Sequence, residues 1–437
     1  MPRGPKNLRI AFDADALTHY GGAVLVHHFL QRLGLRTALW RFVRFPQRNN
    51  RYRISETVLA VLYPVILGME RLGFTESLRH NGVFQYLTGL PGYPEASSLR
   101  RFLRRFSRAG RMGFLKLHDR YRRAMLASLR RHPILDLDGT ILTVYGRQQF
   151  AEVGYNPKKR GRPSYHAILC FEGHTRDCLE GTLHPGKTHV LKAIRPIIEQ
   201  ALSRLPKGKP FRVRADKAFY DGLFRAWLEE HRARYVIGAR VTAPVKHRLS
   251  GLRYQCVGRD LWTAEFRYCP QGWHRPARFV VVRRPVPEEP SAQLHLFKME
   301  GYSYQILVTN LPWAPLTVWR FYNDRSRAEL IIRELKAAYA LNKIPVKDFG
   351  GTEAFFQLVL LAYNLLSWFK RVCAPPSLQR ATLLRLRRQL FLAPAHLARP
   401  QGRPVLRLAH AYPFPDLFRD TLRRIQRVKP AVLNGQK

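Results

Sequence analysis

The chain has 437 residues, of which 46% are hydrophobic and 12% aromatic, a composition that excludes a disordered protein and a length that suits two or three domains. Its 75 lysines and arginines outnumber its 30 aspartates and glutamates by 45, far more than solubility requires. An excess of this sign attracts polyanions, so nucleic acid is the expected partner.

Two apolar runs, at residues 57–69 and 355–369, decide whether a membrane is expected. Both are shorter than the roughly 20 residues that a spanning helix needs, and Pro64, Gln357 and Asn364 interrupt them. They predict buried core helices and no membrane partner. The N-terminal segment is charged where a signal peptide is apolar, and the five cysteines lack CxxC spacing, so we expect a reducing, cytoplasmic location.

Residues 1–130 show helical periodicity with repeated arginine clusters and predict a helical DNA-binding domain. The clearest helix is SSLRRFLRRFSRAGR, with a serine cap at Ser97 or Ser98 and an end at Gly110. Its apolar face consists of Leu99, Phe102, Leu103 and Phe106. Its basic face consists of Arg100, Arg101, Arg104 and Arg105. An isolated basic face is normally solvated, but in a chain of charge +45 contact with DNA phosphates is expected.

The sequence changes character near residue 133. Residues 131–241 show three short strands, then an amphipathic helix and a strand, helix and strand. This order predicts an α/β fold in which helices flank a mixed sheet, a ribonuclease H-like core. Residues 242–312 are rich in strand and turn patterns and predict a β-rich insertion. The core is expected to resume over residues 313–393, and residues 394–437 to form a peripheral basic tail.

The stretch ILDLDGTIL, residues 134–142, places two aspartates on one strand. Because side chains alternate along a strand, Asp136 and Asp138 share a face and the leucines beside them take the other. Paired carboxylates suit a divalent metal, and they equally suit a haloacid dehalogenase-like phosphatase with Asp136 as nucleophile and Asp138 as general acid. A further acid, Asp216, ends the later strand FRVRAD, where an aspartate often serves only as a helix cap.

The stretch FYNDRSRAELIIRELK, residues 321–336, carries four polar side chains of different chemistry. At 100° per residue they occupy a stripe about 60° wide on a predicted helix that begins near Asn323 or Asp324. They are Tyr322, Arg325, Glu329 and Lys336. Ser326 and Glu329 also fit a capping box, which would begin the helix later and leave Tyr322 and Arg325 before it.

This spacing resembles the Tyr-Arg-Glu-Lys signature of the large DDE group of bacterial insertion-sequence transposases. LDLDGT is similar to the first catalytic strand of that family, with Asp138 as its first acid. ADKAFY is similar to the second, with Asp216 as its acid and Ala218 where many members have glycine. Glu329 is then the third acid, and the resemblance extends from about residue 133 to residue 372.

The resemblance implies a DNA transposase that binds the terminal inverted repeats of its insertion sequence and catalyses cut-and-paste transposition by strand cleavage and strand transfer. It implies two Mg²⁺ ions, replaceable by Mn²⁺, held by Asp138, Asp216 and Glu329, and no small-molecule cofactor. The implied DNA contacts are Tyr322, Arg325 and Lys336, and, in the basic segment after the first strand, Lys158, Lys159, Arg160 and Arg162. The implied assembly is a homodimer on double-stranded transposon ends and target DNA, in the nucleoid of a bacterium.

Tryptophans of the predicted insertion are candidates for a further role. In related transposases an aromatic residue there stacks on a flipped base while the DNA end forms a hairpin. The candidates are Trp262, Trp273, Trp313 and Trp319, and the sequence selects none of them.

Two other functions remain open on the sequence. A phosphatase that uses Asp136 and Asp138 explains neither the charge of the chain nor the polar stripe. A non-catalytic basic DNA-binding protein explains the charge but has no need for three separated acids.

Overall fold

The computed structural model describes residues 10–47, 51–106, 108–286 and 297–428. The helices are α1 (Ala23–Arg32), α2 (Leu35–Phe42), α3 (Ile54–Leu67), α4 (Gly82–Thr88), α5 (Ala96–Arg105), α6 (Arg108–Leu126), α7 (Val190–Leu202), α8 (Gly222–Glu230), α9 (Ala243–Ser250), α10 (Pro315–Asn323), α11 (Ser326–Ala338), α12 (Phe349–Val372), α13 (Leu383–Leu386) and α14 (Pro415–Arg427). The strands are β1 (Leu17–Thr18), β2 (Ile134–Thr143), β3 (Glu152–Val153), β4 (Pro163–Glu172), β5 (Cys178–Pro185), β6 (Arg212–Ala215), β7 (Arg234–Gly238), β8 (Gln255–Gly258), β9 (Leu261–Tyr268), β10 (Ala277–Pro285), β11 (Phe297–Met299), β12 (Tyr302–Thr309), β13 (Ala395–Ala398) and β14 (Val405–Leu408).

The chain divides into two compact units. One contains Met1–Leu117 together with Ala337–Lys437, and the other contains His118–Lys336. The predicted segment 313–393 is therefore shared between the two units, and the predicted tail belongs to the same unit as the N-terminal helices. The functional domain boundaries expected from the sequence stay a prediction.

The arginine-rich helix of the first unit is shorter than its sequence pattern suggests. Its predicted apolar face is confirmed, since all four of its side chains are buried. The predicted end at Gly110 is wrong, because α5 ends at Arg105 and Phe106 takes a non-helical ψ of 86°. Gly110 lies inside α6, where a Cβ would come within 2.7 Å of the Phe45 ring, so the glycine serves close packing and not helix termination.

Both apolar runs form core helices of this unit. α12 is longer than predicted and, within the described ranges, is the one helix long and apolar enough to span a membrane; 83% of its most apolar window is buried in the protein. α3 passes the same test only together with the 3₁₀ turn Leu72–Arg79, from which it is bent by 105°. The predicted burial of the two runs is confirmed, and the predicted shortness of the second is wrong.

Residues 394–428 do not form a peripheral tail. β13 pairs with β1 and with β14 in a three-stranded antiparallel sheet. The amphipathic helix α14 buries Phe418, Thr421 and Ile425. The abundance of proline and arginine suggested a solvated tail, but the apolar residues spaced along α14 give it a face that packs.

The second unit is built around one mixed sheet, as predicted. β2 pairs with β4 antiparallel and with β6 parallel, and β6 pairs with β7 parallel. The strand order is β3-β4-β2-β6-β7-β12-β10-β9-β8, with β5 also on β4 and β11 also on β12. The predicted insertion is thus not a separate β module: β12 pairs antiparallel with β7, and its strands continue the sheet. An open edge at β7 is a ready partner for another strand, which accounts for the continuity.

The core of this unit fixes the strand that carries the paired aspartates. Leu135 and Leu137 on β2 are fully buried in a cluster with Ile194 and Ile198 of α7. Burying each such side chain stabilises the fold by about 1.5–3 kcal/mol. Because the leucines must face α7, the aspartates between and after them face the opposite side of the sheet.

A buried ionic network holds α7 to its neighbours in this unit. Arg204 Nε donates to Asp119 Oδ1 at 2.6 Å, and its Nη1 donates to Glu180 Oε2 at 2.7 Å. Arg122, also buried, donates to the same Asp119 oxygen at 2.9 Å. The two acids compensate two guanidinium groups that are out of contact with water.

Replacing Arg204 by Met is expected to lower the free energy of unfolding by about 3 kcal/mol, because Glu180 and Asp119 lose their shared partner while the apolar bulk remains. The measurement is the urea midpoint of the full chain. Lys207→Met is the control, since Lys207 is an exposed residue nearby, and it should change the free energy by less than about 0.5 kcal/mol. A wild-type midpoint for Arg204→Met would contradict this account of the network.

Candidate active site

Two of the predicted acids lie side by side on neighbouring strands. The parallel register pairs Asp136 with Arg214 and Leu137 with Ala215, so the next residues are Asp138 on β2 and Asp216 directly after β6. Asp138 is buried, and its Oδ1 accepts from the Gly139 amide at 2.9 Å. Asp216 directly follows β6 and accepts from the Ala218 amide at 2.9 Å, which caps a 3₁₀ turn at Lys217–Phe219.

A bidentate ion pair lies immediately before these acids. Arg214 donates from Nε to Asp136 Oδ1 at 2.5 Å and from Nη2 to Asp136 Oδ2 at 2.7 Å. Its Nη1 donates to the Phe321 carbonyl at 2.8 Å, near the end of α10. One buried guanidinium therefore connects β2, β6 and the segment that carries the polar stripe.

This ion pair argues against Asp136 as a phosphatase nucleophile. Both carboxylate oxygens of Asp136 accept from Arg214, and the residue is only 3% exposed. A nucleophile needs an oxygen that can reach the phosphorus of a substrate. The geometry fits a supporting acid.

The four residues of the polar stripe are not carried by one helix. The predicted start of that helix near Asn323 or Asp324 is therefore wrong. α10 ends at Asn323 and α11 begins at Ser326, so Tyr322 and Arg325 precede the second helix, as the later start had implied. The break is closed by i to i+3 hydrogen bonds, from the Arg325 amide to Tyr322 O at 2.9 Å and from the Ala328 amide to Arg325 O at 2.8 Å. The tight turn still brings the side chains together, with Arg325 Cζ 5.5 Å from the Tyr322 ring centre.

Arg325 lies among the candidate acids. Its Nη1 is 3.6 Å from Asp138 Oδ2, and its Nη2 donates to Glu329 Oε1. The guanidinium is buried, and its Nε and Nη1 have no hydrogen-bond acceptor within the described part of the chain. Arg325 thus joins the first and third acids by charge while it keeps unused donors.

The pKa of Asp138 responds to the charges of the other two candidate acids. The pKa of Asp138 is raised to about 7, chiefly by burial and in addition by the charges of Asp216 and Glu329, against the opposing effect of Arg325. Burial also raises the pKa of the Tyr322 hydroxyl. That hydroxyl lies 2.9 Å from the position a Cβ would take at Gly238, so the glycine makes room for it beside β6.

The donor set suits a divalent metal. Asp138, Asp216 and Glu329 come from three separate elements and offer only carboxylate oxygens, the ligands that Mg²⁺ and Mn²⁺ prefer. Within the described ranges no three acid, histidine or cysteine side chains converge closely enough to hold a metal in the present arrangement. In this arrangement Arg325 supplies the positive charge between Asp138 and Glu329.

Lys336 connects this site to the basic segment that follows β2. Its Nζ donates to the Ile141 carbonyl at 2.9 Å. Burial and the charge of Lys158 lower the pKa of Lys336, which shows that Lys158 is close enough to act on it. The other predicted contacts of the segment, Lys159, Arg160 and Arg162, are exposed.

The remaining predicted contacts lie elsewhere. Arg100, Arg101, Arg104 and Arg105 are on α5, in the other compact unit, and three of them are exposed while Arg100 is half-buried. Sequence reasoning overlooked Arg214, although the signal was present: Arg214 precedes Asp216 by two residues, as Asp136 precedes Asp138. An alternating strand puts both pairs on one face.

Comparison with known proteins identifies a family and similar solved structures. The family model described as "Transposase DDE domain group 1" matches residues 2–430. A solved structure, the cryo-EM structure of the piggyBac transposase synaptic complex with hairpin DNA, is similar with a TM-score of 0.49 and 11% identity, over 94% of this chain and 87% of that one. No curated protein matches.

Asp138→Asn is expected to stabilise the metal-free protein in a pH-dependent way. The pKa of an aspartate in the unfolded chain is about 3.9, whereas the pKa of Asp138 in the folded protein is about 7. The free energy of unfolding of the wild type therefore falls as the pH rises from about 4 to 7. Calorimetry in EDTA should show similar melting temperatures near pH 4 and a higher one for Asp138→Asn at pH 8. A difference of equal size at both pH values would contradict this assignment.

Proposed function

The chain belongs to the family Transposase DDE domain group 1 and is a DDE transposase, an enzyme of DNA strand cleavage and transfer; from this premise we propose that Asp138, Asp216 and Glu329 carry its chemistry. The observation that carries the proposal is the mutual charge of the three side chains. Asp138 is buried beside two further carboxylates that raise its pKa, an arrangement that costs free energy unless a cation compensates it. Perturbed acids of this kind are concentrated at functional sites.

We propose that the three acids hold two divalent cations, Mg²⁺ or Mn²⁺. Bound cations of this kind activate a water or a 3′ hydroxyl and stabilise the leaving oxygen of an in-line phosphoryl displacement. The buried side chain of Asp138 and its place next to Asp216 on the sheet support its role as the central ligand. Glu329, whose side chain is half exposed, is the acid most accessible from solvent.

Arg325, Lys336 and Tyr322 are proposed to hold the DNA backbone at these acids. The buried guanidinium of Arg325 has donors without acceptors, and phosphate oxygens are suitable acceptors for it. Lys336 lies beside the catalytic strand through its bond to Ile141 O, and Tyr322 presents a hydroxyl near Asp216. When metal and DNA arrive, Arg325 exchanges its carboxylate partners for a phosphate.

The broader reaction is proposed to be cut-and-paste transposition by a homodimer bound to terminal inverted repeats, on a ribonuclease H-like core. The strand order β5-β4-β2-β6-β7, antiparallel through β2 and parallel beyond it, supports this core. The net charge of +45 supports double-stranded DNA as the partner of the exposed arginines on α5. The bacterial nucleoid is the proposed location, because the substrate is there.

The triad is tested by cleavage of linear DNA that carries the inverted repeats flanking the reading frame, in Mg²⁺. Asp138→Asn, Asp216→Asn and Glu329→Gln should each lower the cleavage rate about a hundredfold or more, since each removes a ligand. Asp221→Asn is the matched control, because Asp221 caps α8 through the Phe224 amide and asparagine keeps that acceptor.

Cleavage at the wild-type rate by Glu329→Gln would overturn the triad. DNA binding without cleavage by the wild-type chain would instead favour a non-catalytic DNA-binding protein. Phosphatase activity that disappears only in Asp136→Asn would restore the phosphatase reading.

Arg325→Gln is expected to bind Mn²⁺ more tightly than wild type without DNA, although it should cleave DNA poorly. The guanidinium competes with the metal for Asp138 and Glu329, and couplings of this kind change affinity roughly five- to a hundredfold. Titration calorimetry measures the affinity. Arg327→Gln is the control, since Arg327 pairs with Asp324 outside the triad; an affinity of Arg325→Gln equal to that of wild type would contradict the competition.

A further inference from the structure

Exposed aromatic side chains in the unit His118–Lys336 are concentrated in one connection. Within the described part of this unit, the large aromatic side chains that are exposed are Tyr145 (72%), Phe150 (57%) and Tyr155 (80%). All three lie in residues 144–162, which connect β2 to β4 and are called here the basic aromatic loop. Exposed rings gain nothing in water, so their accumulation in 19 residues suggests a partner with apolar faces.

The charge of the same loop selects the class of that partner. Its basic residues are Arg147, Lys158, Lys159, Arg160 and Arg162, and its one acid is Glu152, so the net charge is +4 (5 minus 1). All five basic residues are exposed. The Arg162 guanidinium lies 5.9 Å from the Tyr145 ring centre, so charge and aromatic surface alternate within one patch. Phosphates with accessible bases satisfy both features.

The loop backbone is held in place, so its side chains are presented by a defined scaffold. Buried Asn156 donates to Thr143 Oγ1 at 3.0 Å and accepts from the Lys159 amide at 3.1 Å. The Tyr165 hydroxyl donates to the Gln149 carbonyl at 2.5 Å. A surface ordered before binding loses less entropy when its partner arrives.

The loop also starts from the strand of the candidate acids. Tyr145 follows Asp138 by seven residues, a span of at most about 23 Å in an extended chain. Lys158 acts electrostatically on Lys336, which bonds to Ile141 of the same strand.

The tryptophans of the predicted insertion are less available for stacking. Trp319 donates to Gln305 at 2.8 Å, and Trp273 packs on Tyr220 with ring centres 5.1 Å apart. All four candidate tryptophans are only partly exposed. Tyr145 and Tyr155 offer far more open ring surface.

We propose that the basic aromatic loop binds an unpaired DNA strand beside the scissile phosphate, with Tyr145 and Tyr155 stacked on its bases and Lys158, Lys159 and Arg160 on its phosphates. In duplex DNA the base faces are covered by their neighbours, so the rings have no partner there. The location beside a scissile phosphate rests on the proposed function; the preference for unpaired bases does not.

The test compares two DNA duplexes of one sequence, one blunt and one whose end carries several unpaired bases, by fluorescence anisotropy in EDTA. The double variant Tyr145→Ala and Tyr155→Ala should weaken binding to the forked duplex roughly five- to a hundredfold and change binding to the blunt duplex less than about twofold. With 2-aminopurine at an unpaired position, wild type should quench its fluorescence and the variant should not.

Three controls separate stacking from other effects. Tyr→Phe at both positions keeps the rings and should keep the preference for the forked duplex, whereas Tyr→Leu keeps apolar bulk and should lose it. Leu223→Ala removes an exposed apolar side chain of the same unit that lies outside the loop, and should change neither affinity. Circular dichroism melting confirms that each variant is folded.

A double alanine variant that retains the wild-type ratio of forked to blunt affinity would overturn the proposal, as would an equal loss on both duplexes. Because these measurements need no cleavage, their failure is distinct from that of the proposed function. If wild type cleaves DNA and the double alanine variant keeps the forked-to-blunt affinity ratio, only the proposal for the loop is rejected. If the variant loses this ratio but wild type does not cleave DNA, only the catalytic assignment is rejected.

Discussion

The buried pair of Asp136 and Arg214 is the interaction on which the candidate site depends. Burying a carboxylate and a guanidinium is costly, and such a pair is normally weak evidence for stability. The contribution of the pair is to fix the positions of neighbouring residues. The pair locks β2 against β6 in one register, so the next residues on the same face, Asp138 and Asp216, lie side by side. Through Phe321 O the same guanidinium holds the segment that delivers Tyr322 and Arg325.

The position of Arg325 follows from this arrangement of the acids. Once three carboxylates are drawn together, one of them buried, the protein needs positive charge at that place. Arg325 supplies it in this structure, and its position between Asp138 and Glu329 makes the side chain a competitor for any cation. We propose that this compensation is released when a DNA phosphate replaces the carboxylates as the partner of Arg325.

Much of this arrangement could be predicted from the sequence because local periodicity determines it. The alternation of ILDLDGTIL gave the strand and its two faces, and the apolar spacing of Leu99 to Phe106 gave the buried side of α5. The apolar pattern does not mark the break between α10 and α11, whereas the capping-box pair Ser326 and Glu329 does. The glycine at position 110 was misread because its contact with Phe45 is remote in sequence.

Pairing between distant segments could not be predicted at all. Residues 242–312 were correctly predicted to be rich in strands, but whether those strands form their own module or join an existing sheet depends on which edge is open, and β7 offers one. Arg214 was overlooked for the same reason: its partner lies 78 residues away. Both features become visible only when the register of the sheet is known.

The central claim is that Asp138, Asp216 and Glu329 together hold the divalent ions. The most direct measurement is anomalous X-ray scattering from crystals of the chain with its end DNA and Mn²⁺. Manganese peaks are expected in contact with all three carboxylates, with Arg325 turned from Glu329 to a phosphate oxygen. Manganese bound away from these acids, or bound to them while Arg325 still pairs with Glu329, would contradict it.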